Sequence, residues 1–128
     1  MRFLLDTHTL VWATLSPKKL SPAASAAIAD ENNEVLVSAA SAWEIATKVR
    51  LGEMPEAISL EARFLQALDE AGYALLSIDA ESALRAARFS APHGDPFDRI
   101  LAAQALALDI PVVSLDAKLD QFGVRRIW

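Results

Sequence analysis

Residues 93–116, HGDPFDRILAAQALALDIPVVSLD, join a helical pattern to a strand pattern and so decide the class of fold. Asp95 stands where a helix N-cap belongs, ahead of Pro96 at the first helical position, where a missing backbone N–H costs nothing. Phe97, Ile100, Leu101, Ala105 and Leu108 then recur at spacings of three and four, which places them on one stripe of a helix packed against a sheet. The short apolar run Pro111 to Leu115 follows and ends at Asp116.

The same alternation extends outward along the chain. Arg2 to Leu5, Glu34 to Val37 and Tyr73 to Ile78 are further short apolar runs, Val124 to Trp128 is a candidate fifth strand, and segments of helical spacing lie between them. Strands alternating with helices predict an α/β fold with a parallel sheet. Helix starts are predicted at Ser21, Ser41, Ser59, Asp79 and Asp95, and Gly52, Gly72 and Gly123 are expected to close helices or turns. From Ser41 to Leu51 the apolar stripe is Ala42, Ile45, Ala46 and Val49, with Glu44 and Lys48 on another face. No repeat, low-complexity tract or linker divides the sequence, so one domain is expected over residues 1–128.

Composition narrows the chemistry. The chain has 128 residues and no cysteine, which excludes thiolate catalysis, disulfide scaffolds and Cys-based metal sites. Twelve Lys and Arg against 17 Asp and Glu give a net charge of −5, so bulk positive charge does not carry nucleic-acid binding, although a local site stays open. The apolar share of 53% exceeds what a domain of this kind needs, and some of the surplus is expected to face a partner. Asp6 and His8 interrupt the N-terminal apolar run, and no stretch approaches the roughly 20 residues of a membrane span. The expectation is a soluble, cytoplasmic protein.

In a parallel sheet with helical crossovers, residues after strand ends gather at one rim, where ligands bind. Asp6 follows the first strand, Asp116 follows the fourth, and Glu44 lies in the first turn of the helix after the second. Asp98 begins the helix before the fourth strand, which a plain crossover is read as placing on the opposite rim. A helix over Asp79 to Ser90 and a loop over Ala91 to Asp95 are expected to reverse the chain and bring it back. If the four converge, carboxylates about 4 Å apart repel by roughly 4 kcal/mol per pair at an effective dielectric of about 20, so the cluster takes up protons or a cation. Hard oxygen donors select Mg²⁺ or Mn²⁺, which lowers the pKa of a water and neutralises charge on a phosphodiester.

Each residue taken singly has a plainer reading. Asp6 and Asp116 suit helix caps, and Glu44 suits a capping box with Ser41 or an ion pair with Lys48. Asp79 obeys the strand-end rule as well as Asp6 does, so the rule alone is unspecific.

At these residues the sequence resembles the PIN-domain ribonucleases, and within them the VapC-type toxins of type II toxin–antitoxin systems. FLLDTHTLVW, VSAASAWEIATKVRLGEM, HGDPFDRILAAQAL and PVVSLDAKLDQFGVRRIW carry the resemblance over the whole chain, the third most specifically. It implies a three-layer α/β/α domain with a central parallel sheet, and an acidic pocket made by Asp6, Glu44, Asp98 and Asp116. Asp6 and Asp98 are implied as direct metal ligands, with Glu44 and Asp116 acting through water or with a second ion. Ser114 stands where the family often has Thr, and Thr7 is expected to orient a neighbouring carboxylate. The implied activity is Mg²⁺-dependent cleavage of structured RNA such as transfer or ribosomal RNA, with Mn²⁺ as an alternative ion. The implied partners are a VapB-type antitoxin, forming a hetero-oligomer, and a second copy in a homodimer.

Other residues keep two readings. Arg99 either contacts phosphate beside the metal or pairs with Asp95 or another acid on its helix. His93 sits in a polar loop as an exposed bystander or an acid for the leaving group, and metal-assisted hydrolysis does not require the latter. Lys18, Lys19, Lys48 and Arg50 form an RNA path or a solvated face. Trp12, Trp43 and Trp128 are read as core or interface anchors, and Arg125 and Arg126 as charges guarding an edge strand. A phospho-acceptor signalling domain would want paired acids after the first strand, where Asp6 stands with Thr7. A non-catalytic PIN-like module that binds RNA or antitoxin is disfavoured by the presence of all four acids, and a flap-type DNA nuclease would need a longer chain.

Overall fold

A computed structural model describes residues 1–128. Five strands, β1 (Arg2–Leu5), β2 (Glu34–Ser38), β3 (Ala74–Leu76), β4 (Val112–Val113) and β5 (Arg126–Ile127), form one sheet in the order β3-β2-β1-β4-β5. Every pairing is parallel, with Leu5 opposite Val37 on one side and Val113 on the other. Seven helices accompany it: α1 (Thr7–Leu15), α2 (Pro22–Ala29), α3 (Ala39–Arg50), α4 (Ile58–Ala62), α5 (Phe64–Ala71), α6 (Ala80–Arg88) and α7 (Pro96–Leu108).

The strand period of two builds the layers. Phe3, Leu5, Val35, Val37 and Val113 face one core with Leu10, Val11, Ile45, Leu60 and Leu68 from α1, α3, α4 and α5. Leu4, Leu36 and Val112 face the other, with Leu101, Ala102 and Ala105 of α7 and Leu119 and Phe122 of the turn Ala117–Phe122. A sheet buried on both sides explains the nearly continuous apolar runs. The three-layer α/β/α architecture is therefore present.

Several boundaries differ from the sequence reading, each for a local reason. The third strand begins after Tyr73, whose N–H instead bonds to the Leu68 carbonyl and closes α5, with Gly72 at φ 76°. The fourth and fifth strands are shorter than Pro111 to Leu115 and Val124 to Trp128. The cap of helix α3 lies three residues before Ser41: it is Ser38, accepting from the Ala40 N–H at 3.0 Å. Ser41 is buried inside the helix, so the capping box with Glu44 does not form and Glu44 lies in the second turn. Ser59 is not a cap either, because α4 continues directly from the 3₁₀ turn Pro55–Ala57.

The chain reversal expected between Asp79 and Gly94 is present, with α6 packed on α7 and ending beside α7's first turn. The expectation that a plain crossover leaves Asp98 on the far rim is corrected. A crossover helix must run antiparallel to the strands to reach the start of the next one, so its N-terminus lies at the strands' carboxyl rim. Between β1 and β4 the chain switches from one half of the sheet to the other, which is where an open parallel sheet leaves a crevice.

Candidate metal centre

The crevice holds a cavity of about 480 Å³ lined by Asp6, Thr7, His8, Trp12, Glu44, Lys48, Asp95, Asp98, Leu115, Asp116 and Ala117. All four acids singled out from the sequence meet there. Asp95 joins them, so five carboxylates face a single ammonium group.

Asp6 combines the two roles that sequence reading held apart. One carboxylate oxygen caps α1 by accepting the Thr9 N–H at 2.8 Å. The other accepts the Ser114 hydroxyl, whose oxygen in turn accepts the Asp116 N–H at 2.9 Å. Ser114 thereby ties the ends of β1 and β4 together. Asp6 is 7% exposed, and burial raises its pKa despite these hydrogen bonds. Asp116 caps the following turn by accepting the Lys118 N–H.

Glu44 is 4% exposed. Its Oε2 meets Lys48 Nζ at 2.5 Å, as the spacing of four predicted, while Oε1 is buried without a partner. A buried carboxylate oxygen left bare is costly, and a cation in the cavity would relieve it. Asp98 is the third residue of α7, whose N-terminus is capped by Asp95 through the Phe97 and Asp98 N–H groups. Burial, opposed by the hydrogen bond from His93 and assisted by the charges of Asp95 and Glu44, pushes the Asp98 pKa up to about 6. Oxygen donors, an orphaned buried oxygen and carboxylates strained toward their protonated forms together fit a hard divalent ion.

Four sequence readings are corrected here. The Arg99 side chain neither lines the cavity nor pairs with the Asp95 carboxylate. Its guanidinium donates to the carbonyls of Ala86, Phe89, Ala91 and His93 at 2.6–3.1 Å, with Ala87 at 3.4 Å, and lies 5.8 and 5.9 Å from the Phe89 and Phe122 ring centres. It is drawn to the free carbonyls where α6 ends, and so clamps the loop leading into α7. Thr7 does not orient a carboxylate, because its hydroxyl pairs with Ser41 at 3.0 Å. His93 is not an exposed bystander: its side chain is 15% exposed and Nε2 lies 2.7 Å from Asp98 Oδ2. Nothing local in the sequence marks that contact, which depends on Arg99 holding the loop. Trp43, half-exposed with its ring against Phe97 at 4.7 Å, does not anchor the core, whereas Trp12 and Trp128 pack on each other.

The raised Asp98 pKa predicts a pH dependence with a definite sign. A folded-state value above the unfolded one means that the native protein binds the proton more tightly, so stability rises as pH falls through about 6 and is lost as it climbs back. In cation-free protein, the melting temperature of Asp98→Asn is therefore expected to exceed that of the unaltered chain near pH 7, with the gap closing toward pH 5. A gap independent of pH would show that Asp98 titrates as an ordinary carboxylate.

Known proteins resemble the chain over most of its length. The family description "PIN domain" matches residues 3–124. Ribonuclease VapC22 of Mycobacterium tuberculosis is 32% identical over 119 residues, covering 91% of this chain and 88% of that protein. The fold is shared with VapBC2 of Rickettsia felis, solved bound to a DNA fragment from its promoter, at a TM-score of 0.66 and 14% identity over 98% of this chain and 97% of the other. It is shared also with FitAcB of Neisseria gonorrhoeae, at 0.63 and 23% identity, with 98% and 96% covered. VapBC-1 of nontypeable Haemophilus influenzae gives 0.60 and 17% identity over the same shares. No helix is long and apolar enough to cross a membrane.

Proposed function

The chain belongs to the PIN-domain family, and on that premise we propose that it is a VapC-type toxin: a metal-dependent endoribonuclease that acts in the cytoplasm as a single domain over residues 1–128. The observation that carries this reading is the convergence of Asp6, Glu44, Asp98 and Asp116 on one cavity, with a buried Glu44 oxygen that has no protein partner. The relative's printed name, ribonuclease, supports RNA as the substrate. The VapBC complexes that share the fold support a VapB-type antitoxin as the partner; the assembly proposed is a hetero-oligomer built on a toxin homodimer.

In this reading Asp6 and Asp98 hold the ion directly, and Glu44 and Asp116 complete its surroundings directly or through water. A bound Mg²⁺ or Mn²⁺ would supply positive charge beside a phosphodiester and lower the pKa of a water; the proposed products carry 5′-phosphate and 3′-hydroxyl ends. The protein's task is placement. Ser114 fixes the Asp6 carboxylate, Lys48 fixes one oxygen of Glu44, and Asp95 sets the start of the helix that presents Asp98. With their orientations fixed before the ion arrives, little reorganisation remains at the moment of reaction. Structured RNA such as transfer or ribosomal RNA is the proposed target.

The test is incubation of antitoxin-free protein with total cellular RNA and Mg²⁺, with and without EDTA, followed by sequencing of new 5′ ends. Discrete cuts that disappear with EDTA are expected. Intact RNA in the presence of folded, ion-loaded protein would leave a non-catalytic binding module in place of the nuclease.

A further inference from the structure

We propose that His93 is itself a ligand of the cation, completing with Asp98 and Asp116 a position of one nitrogen and two carboxylates that takes Mn²⁺ in preference to Mg²⁺. The proposal rests on reading the cavity as a metal centre and adds to it a donor of different chemistry. One ligand atom from each of His93, Asp98 and Asp116 lies within 4.8 Å of the others. The imidazole is already aimed: Nε2 is 2.7 Å from Asp98 Oδ2, the ring lies 5.9 Å from that of Phe122, and the His93 carbonyl is held by Arg99 at 2.8 Å. Independently, Glu44, which lines the cavity with Asp98 and Asp116, has a buried Oε1 with no partner, although Lys48 serves its other oxygen. The cavity's acids thus remain short of positive charge even after the only nearby ammonium is spent.

The nitrogen decides which ion fits. Imidazole is a borderline donor suited to transition metals, whereas Mg²⁺ favours oxygen ligands and retains its waters. A purely carboxylate pocket would discriminate weakly between Mg²⁺ and Mn²⁺. One with His93 in it favours Mn²⁺.

The chain has two histidines: His8 lines the cavity, and His93 stands beside it against Asp98, so the two can be separated by substitution. Cation-free full-length protein is loaded with one equivalent of Mn²⁺, and pulsed electron paramagnetic resonance reads nitrogen-14 coupling to the ion. The coupling is expected in the unaltered chain and in His8→Gln, and is expected to vanish in His93→Gln and His93→Asn. In both His93 variants the preference for Mn²⁺ over Mg²⁺, measured as a ratio of Kd values, is expected to fall by about tenfold or more. Melting curves identify any variant that has not folded, and two substitutions of different size guard against losing the test to one of them. Coupling that persists in the His93 variants, its absence from Mn²⁺-loaded unaltered protein, or failure to bind Mn²⁺ would each overturn the proposal. Mg²⁺-dependent RNA cleavage without nitrogen coupling would remove His93 from the metal and leave the nuclease reading standing, while coupling without cleavage would do the reverse.

Discussion

Asp98→Asn is expected to lower RNA cleavage by roughly a hundredfold or more while leaving the protein folded, as judged by initial rates on a mapped cut site and by thermal melting. The substitution keeps the shape of the side chain and removes only its charge. It does not disturb the start of α7, because that N-terminus is capped by Asp95 and opened by Pro96. It also relieves the burial cost that raises the Asp98 pKa, so lost activity is not expected to be accompanied by lost stability. Asp6→Asn is expected to act in the same direction on cleavage, but its carboxylate also caps α1 and accepts from Ser114, which makes it the less direct test. Unchanged cleavage by folded Asp98→Asn would remove Asp98 from the chemistry.

Arg99→Ala is expected to produce the largest loss of stability, about 3 kcal/mol or more in urea denaturation. A hydrogen bond from a charged donor contributes roughly 1.5–3 kcal/mol, and shared partners keep such contributions from adding in full. Removing the guanidinium strands the carbonyls of Ala86, Phe89, Ala91 and His93 together. Against a total stability of about 5–15 kcal/mol for a domain, that is a large fraction. Arg99→Lys is expected to recover little, since an ammonium is compact and cannot span carbonyls arranged around a planar fork. Because the freed loop carries His93, weaker cation binding is expected to accompany the lower stability. A cost below about 1 kcal/mol would show that the clamp carries no weight.

Legibility in the sequence followed the range of the interaction. Helix α7 could be read from Asp95, Pro96 and its apolar stripe because caps and periodicity are local, and β1 was read to its observed ends for the same reason. The four acids were identifiable as a group through strand-end position and resemblance, although neither reveals a distance. Ser41 misled because it satisfies a capping pattern that Ser38 fills three residues earlier, freeing the Ser41 hydroxyl for Thr7. Arg99 misled for a related reason. An arginine beside an acid suggests phosphate, and only the placement of α6 shows that carbonyls claim it first. His93 depends on that clamp in turn, so its contact with Asp98 lies two tertiary steps beyond anything its neighbours in sequence reveal.

The hydrogen bond from Ser114 to Asp6 joins positions 108 apart. During synthesis β1 emerges before β4 and waits for it, so Asp6 has neither its hydroxyl partner nor Asp116 until translation has passed Asp116. Sheets closed by such distant pairings form late, because the long loop must close before the contact can stabilise it. For the nuclease proposed above this order is protective. A nascent fragment that stops short of β4 lacks the β4 side of the cavity's carboxyl rim, so on the proposed reading an antitoxin has nothing to inhibit until β4 has joined β1.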